Sequence, residues 1–369
     1  MVDFGAIIGE SAEWTKQVLF KPFNLKKWLI LAFIAIMAGA MSNGCNFNSG
    51  GGGSNDHHYE SQQQEQGTCP SGANEAAPGT SACAPAANTD VPSPGVMGVA
   101  LTIIAVVATF FIALVLILMW LGSRFSFVFL EDVIKNDASI KAPFGANADA
   151  GNSYFRFNIV FMLVFLSLLG SLIYIFVVSL IKSGLIDVSN PSSEQLMGFL
   201  LMAIPVLLLG FILFVITGLI SLITIDLVLP IMYRERIRTL AAWGKAWALV
   251  RKNVGNLIVY ILIKVGLGIG AGIAYLLLFI AGFIVVVIPM GLIAFALWLI
   301  SKTMPAAAIF PYWLVIGLIL TPVCIFLLYC LMALNLPFAV FFRTYSLKFL
   351  ERLDPQYAFI KTEKPVAAQ

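Results

Sequence analysis

Apolar residues in this chain fall into long unbroken runs, not into the narrow periodic stripes of a soluble domain. The runs are 28–41, 96–121, 157–181, 196–225, 256–300 and 312–342, and polar segments separate them. Apart from the short first run, each exceeds the ~20 residues that cross a hydrocarbon core of roughly 30 Å. Backbone groups in lipid must be satisfied within the chain, and the runs lack the residue-by-residue alternation of a membrane barrel. The pattern therefore predicts an all-α fold: a polytopic transmembrane helical bundle of about six spans arranged as three hairpins.

The run 256–300 is too long for one simple span, since as a straight helix it would reach about 68 Å at 1.5 Å per residue. We expect a fifth helix broken near Pro289, with 289–311 as a re-entrant or interfacial segment. The competing arrangement has eight crossings, with the last run folded into a hairpin around Pro322 and Pro337. Ahead of the first span, Phe4, Ile7, Ile8, Trp14, Val18 and Leu19 alternate with Glu10, Glu13, Lys16 and Lys21, which predicts an amphipathic surface helix. A second is predicted where Leu240, Trp243, Trp247 and Val250 interleave with Arg238, Lys245, Arg251 and Lys252. Ala12, Trp14, Lys16 and Asn24 match Ala241, Trp243, Lys245 and Asn253 at identical spacing. This rhyme suggests a repeated unit of surface helix plus hairpin.

Composition excludes a soluble surface, because 60% of residues are hydrophobic and 11% charged, against about a quarter charged in soluble domains. Placement of the 22 basic residues then orients the chain. Translocated loops are depleted of Lys and Arg. The segment 42–95 has neither, but holds Asp56, Glu60, Glu65, Glu75 and Asp90, so it reads as exported. Basic clusters at 124–156 and 234–252, and in the tail from Arg343, place those segments and both chain ends in the cytoplasm. The expected organisation is 1–42 as surface helix and first span, 43–95 as an extracytoplasmic low-complexity insert, 96–342 as the remaining bundle, and 343–369 as a cytoplasmic tail.

The insert is rich in Gly, Asn, Ser, Gln and Pro and cannot bury a core. Its Cys69 and Cys83 would face an oxidising space and could close a disulfide loop, leaving Cys45 odd. A lipoprotein signal ending at Cys45 matches its consensus poorly, and zinc on His57 and His58 is a weaker reading still.

Candidate chemistry is sparse. Lys264 lies about two turns inside the fifth span. It either snorkels to the headgroups or pairs with Asp226 as a gate or packing lock. Gly266, Gly268, Gly270 and Gly272 form two interleaved small-residue pairs that favour helix packing. No hydrolase, metalloprotease or phosphate-loop motif is present, so neither catalysis nor a cofactor is expected. The expected partners are the bilayer, anionic lipids at the basic face, and a second copy or another membrane protein, with no nucleic acid. Two functions fit: a scaffold or complex subunit, and a transporter or channel for a small solute, ion or lipid.

Several strings together resemble a group of uncharacterised multipass proteins of bacterial inner membranes. They are Glu13-Trp14-Thr15-Lys16, Leu19-Phe20-Lys21-Pro22-Phe23, Lys27-Trp28, Arg124 with Phe129-Leu130-Glu131-Asp132, Gly151-Asn152-Ser153-Tyr154-Phe155, Asp226 through Pro230 to Tyr233-Arg234, and Phe342-Arg343 through Tyr345-Ser346 to Phe349-Leu350. The resemblance implies a multipass topology only, and it carries no site or substrate.

Overall fold

The computed structural model describes residues 2–39, 94–182 and 193–360. Among these the fold is an all-α helical bundle without strands. Its helices are α1 (Phe4–Phe20), α2 (Leu25–Met37), α3 (Pro94–Lys135), α4 (Lys141–Ala146), α5 (Ala148–Lys182), α6 (Ser193–Ile223), α7 (Leu229–Glu235), α8 (Thr239–Lys252), α9 (Val254–Ser301), α10 (Ala306–Ala333) and α11 (Leu336–Leu353). Most of the polar insert, with Cys45, His57, His58, Cys69 and Cys83, lies outside the described residues. The segment 48–115 forms a small unit of its own, and the packing discussed below belongs to the larger unit, Met1–Phe47 with Leu116–Gln369.

Five stretches among the described residues are long and apolar enough to cross a membrane: Leu101–Lys135, Ala148–Lys182, Met197–Glu235, Val254–Ser301 and Ala308–Leu353. They mark a multipass membrane protein. The first apolar run is not among them, since α2 has only 13 residues, about 20 Å of helix. It ends because Ala38 and Gly39 donate back to Ile34 and Ile36 (2.8 and 3.0 Å) and Gly39 adopts φ 67°, the left-handed conformation that glycine enters without cost. The break expected near Pro289 does not occur. α9 runs through Pro289 for 48 residues, a short turn follows at 302–305, and α10 begins at Ala306. One proline removes a single helical hydrogen bond, which a long apolar helix tolerates.

The element order short helix, helix, helix occurs three times, as α1-α2-α3, α4-α5-α6/α7 and α8-α9-α10/α11. Asn24, Asn147 and Asn253 stand at the joints between the first and second helix of each. Each carbonyl accepts a bond from the residue four positions on, Trp28, Gly151 and Leu257, at 2.9, 2.9 and 3.0 Å.

The buried core gathers at the basic ends of the long helices. It joins Ile7 of α1, Phe127 and Leu130 of α3, Leu227 to Met232, Ala242 and Ala246 of α8, Tyr260 of α9, and Tyr345, Phe349 and Leu350 of α11. The apolar face of α1 is therefore covered by protein and not by a membrane surface. Glu10 clamps it to α11 through Lys348 and Arg352 at 3.3 and 2.8 Å. On α8 the inner face is Thr239, Ala242, Ala246 and Val250, while Leu240 and Trp247 stay exposed. Beyond the core the long helices present exposed Leu, Ile, Val and Phe, as lipid-facing surface requires.

Candidate functional site

The chemistry of the core begins with one proline. Thr224–Val228 forms a π-helical turn, in which the Leu229 N–H bonds to the Thr224 carbonyl five residues back. In this register the carbonyl of Ile225 would take the N–H of residue 230, but Pro230 has none. A buried carbonyl without a donor costs about 1–3 kcal/mol. Arg343 of α11 supplies the donor: its Nη1 reaches the Ile225 oxygen at 2.9 Å. Arg343 is itself buried, with its guanidinium 5.8 Å from the centre of the Phe129 ring.

The same turn delivers Asp226 to the core with 4% of its side chain accessible. Its Oδ2 accepts from the Tyr260 hydroxyl at 2.9 Å and from the Lys264 ammonium. Tyr260 and Lys264 are four residues apart on α9 and so share a face. Lys264 has 12% of its side chain accessible, so it does not snorkel to water. The Tyr260 ring stacks on Tyr345 and Phe349, with centroids 5.1 and 4.1 Å apart. Tyr345 and Phe349 are also one turn apart, on α11, and the Tyr345 hydroxyl is buried with no partner.

The structure thus brings Lys264 and Asp226 together and adds Tyr260, Arg343 and Tyr345, none of which the sequence pattern assigned to a site. Arg343 begins what reads as a cytoplasmic tail, yet Arg343 to Leu350 are buried in α11. The available signal was Tyr260, one turn before Lys264. The glycine row behaves differently. Gly268 is buried, whereas a Cβ at Gly266, Gly270 or Gly272 would meet no atom within 4 Å. Close approach occurs instead at Gly282, where a Cβ would stand 2.8 Å from the Leu331 side chain, and at Gly151, where it would stand 2.8 Å from that of Arg124.

One carboxylate beside two cations, largely closed from water, can hold helices in register. Among the described residues no cluster of three or more metal-ligating side chains occurs.

A family model matches residues 6–360, nearly the whole chain. The chain belongs to the family of unknown function DUF7544. No curated protein and no solved structure matches the chain. Membership of DUF7544 agrees with the resemblance drawn from the motifs, and the family brings no substrate with it.

Proposed function

We propose that this protein is a non-enzymatic scaffold or subunit of a membrane complex, seated in a bacterial inner membrane with both chain ends cytoplasmic. The observation that carries the reading is the open face of α9. Gly266 and Gly270 lie one turn apart with free space above them, flanked by exposed Leu262, Ile269 and Ile273. Small residues at that spacing let another backbone approach closely in lipid. The protein's own close packing on α9 uses Gly282 instead, and a second copy or another membrane protein is the proposed occupant of the open face. The buried Asp226–Lys264 pair supports the same reading, as a lock that keeps α9 rigid.

A second reading, a transporter or channel for a small solute, ion or lipid with Lys264 and Asp226 at the cytoplasmic gate, draws on the π-helical turn and the unpartnered Tyr345 hydroxyl. π-helical turns recur at functional sites. Cross-linking in native membranes followed by affinity purification separates the two. A stoichiometric partner or a second copy, cross-linked through residues flanking Gly266 and Gly270, is the expected result. A monomer that conducts or moves solute after reconstitution overturns the scaffold.

A further inference from the structure

A second polar feature lies away from the Asp226 cluster. An open cavity of about 710 Å³ is walled by Trp120 at the end of the apolar part of α3, by Asp149, Asn152 and Arg156 of α5, and by Arg236 and Arg238 of the α7–α8 loop. Three arginines against one aspartate leave it electropositive. Arg124 adds to this from behind, donating to Asn152 Oδ1 at 3.1 Å while lying 4.4 Å over the Trp120 ring.

The wall is built, not incidental. Gly151 lets α5 close on the backbone of Arg124, which sets Trp120 and Asn152 side by side, with the indole donating to the amide oxygen at 3.1 Å. Arg236 sits in the left-handed region at φ 55°. Its Nη1 is pinned by the Ala146 carbonyl and Asn147 Oδ1 at 2.8 and 3.1 Å, so the other donors of its fork are unspent. Among the described residues no carboxylate pairs with Arg156, Arg236 or Arg238. Like charges held together without a counter-ion repel, and the guanidinium fork matches phosphate.

Position identifies the source of that phosphate. The apolar surface of α3 ends at Ile117 and Leu118, just before Trp120, and that of α5 resumes at Val160 and Leu163, just after Arg156; all four are exposed. The cavity therefore stands where apolar spans meet a basic loop, the level at which headgroups lie and Trp is favoured. We infer that this cavity binds the phosphate headgroup of an anionic phospholipid, with the acyl chains against the exposed faces of α3 and α5. The volume exceeds that of a lone phosphate and suits a headgroup. The inference needs the chain to be membrane-embedded, and it is independent of whether the protein is a scaffold or a transporter.

The test uses the full-length protein, stripped of lipid in detergent and read by native mass spectrometry on adding back phosphatidylglycerol, phosphatidylcholine or inorganic phosphate. Phosphatidylglycerol should be retained in preference to phosphatidylcholine. The Arg156→Gln/Arg238→Gln variant should lose roughly 30-fold in affinity for it. Both arginines are exposed, so the fold should survive, as thermal unfolding will show. The Arg251→Gln/Lys252→Gln variant, which removes equal charge from the far end of α8, should keep its lipid. Equal loss in both variants would reduce the effect to general surface charge and overturn the site. Unchanged retention by the first variant would do the same. Displacement of lipid by millimolar phosphate would assign the cavity to a soluble anion and overturn the lipid.

Discussion

Arg343 donates to the Ile225 carbonyl at 2.9 Å, and that oxygen is free because the residue five positions on is Pro230. A backbone vacancy in one helix thus selects a buried arginine in another. The relationship is testable as a pair. Arg343→Met should destabilise the protein by about 2–4 kcal/mol, since it orphans a part-buried carbonyl and removes a cation near Asp226. Pro230→Ala restores an N–H within the helix. In the Arg343→Met background it should therefore recover about 1 kcal/mol. A double-mutant cycle on thermal unfolding in detergent reads this coupling; additive effects would disconnect the two residues.

The Asp226–Lys264 pair should behave as a buried ion pair does. Lys264→Met alone leaves the buried carboxylate with the Tyr260 hydroxyl as its hydrogen-bond donor and Arg343 as its one nearby cation, at a cost of about 3–5 kcal/mol. Asp226→Leu together with Lys264→Met removes both charges and should regain most of that loss. Equilibrium unfolding of the two variants decides it. If the double variant is stable but the cross-linked complex disappears, the pair shapes the α9 face as well as holding it.

Much of this architecture is legible because run length is a direct measure of helix length in lipid. The Asp226–Lys264 contact is legible for a related reason: a charge within or at the edge of an apolar run must find a partner. Arg343 is not, because its partner is a backbone oxygen whose freedom depends on a π-helical register that hydrophobicity does not encode. A basic residue closing an apolar run also reads as a topology marker. α9 shows the limit of proline as punctuation, since the helix runs through Pro289. α1 shows the limit of amphipathicity, which reveals that a face is covered without saying whether protein or lipid covers it.

At the end of the described chain, the Tyr357 hydroxyl donates to Glu235 Oε1 at 2.6 Å. Burial first, and then the carboxylate it bonds, raise the Tyr357 pKa well above its ordinary value. A pKa raised by folding means that the native state favours the protonated phenol. The stabilisation is therefore fully present below the unfolded value of about 10 and is lost as pH rises above it. Limited proteolysis between pH 8 and 11 should show the segment after α11 becoming cleavable above about pH 10. Tyr357→Phe should make it more cleavable at neutral pH and flatten this dependence.

The glycines of α9 separate internal packing from association. Gly282 faces the Leu331 and Leu334 side chains, and a Cβ placed there would stand 2.8 and 3.2 Å from them. Gly282→Leu should overpack the α9–α10 hairpin and cost about 1–3 kcal/mol. Gly266→Ala meets no atom and exchanges a poor helix former for a good one, so it should leave the monomer unchanged or stabilise it by up to about 1 kcal/mol. Gly270→Leu should likewise spare the unfolding transition while blocking close approach of another helix. If Gly270→Leu leaves both unfolding and the cross-linked species intact, the face touches only lipid, and the scaffold reading loses its support. If unfolding is spared and the species is lost, the open face of α9 is where a partner binds.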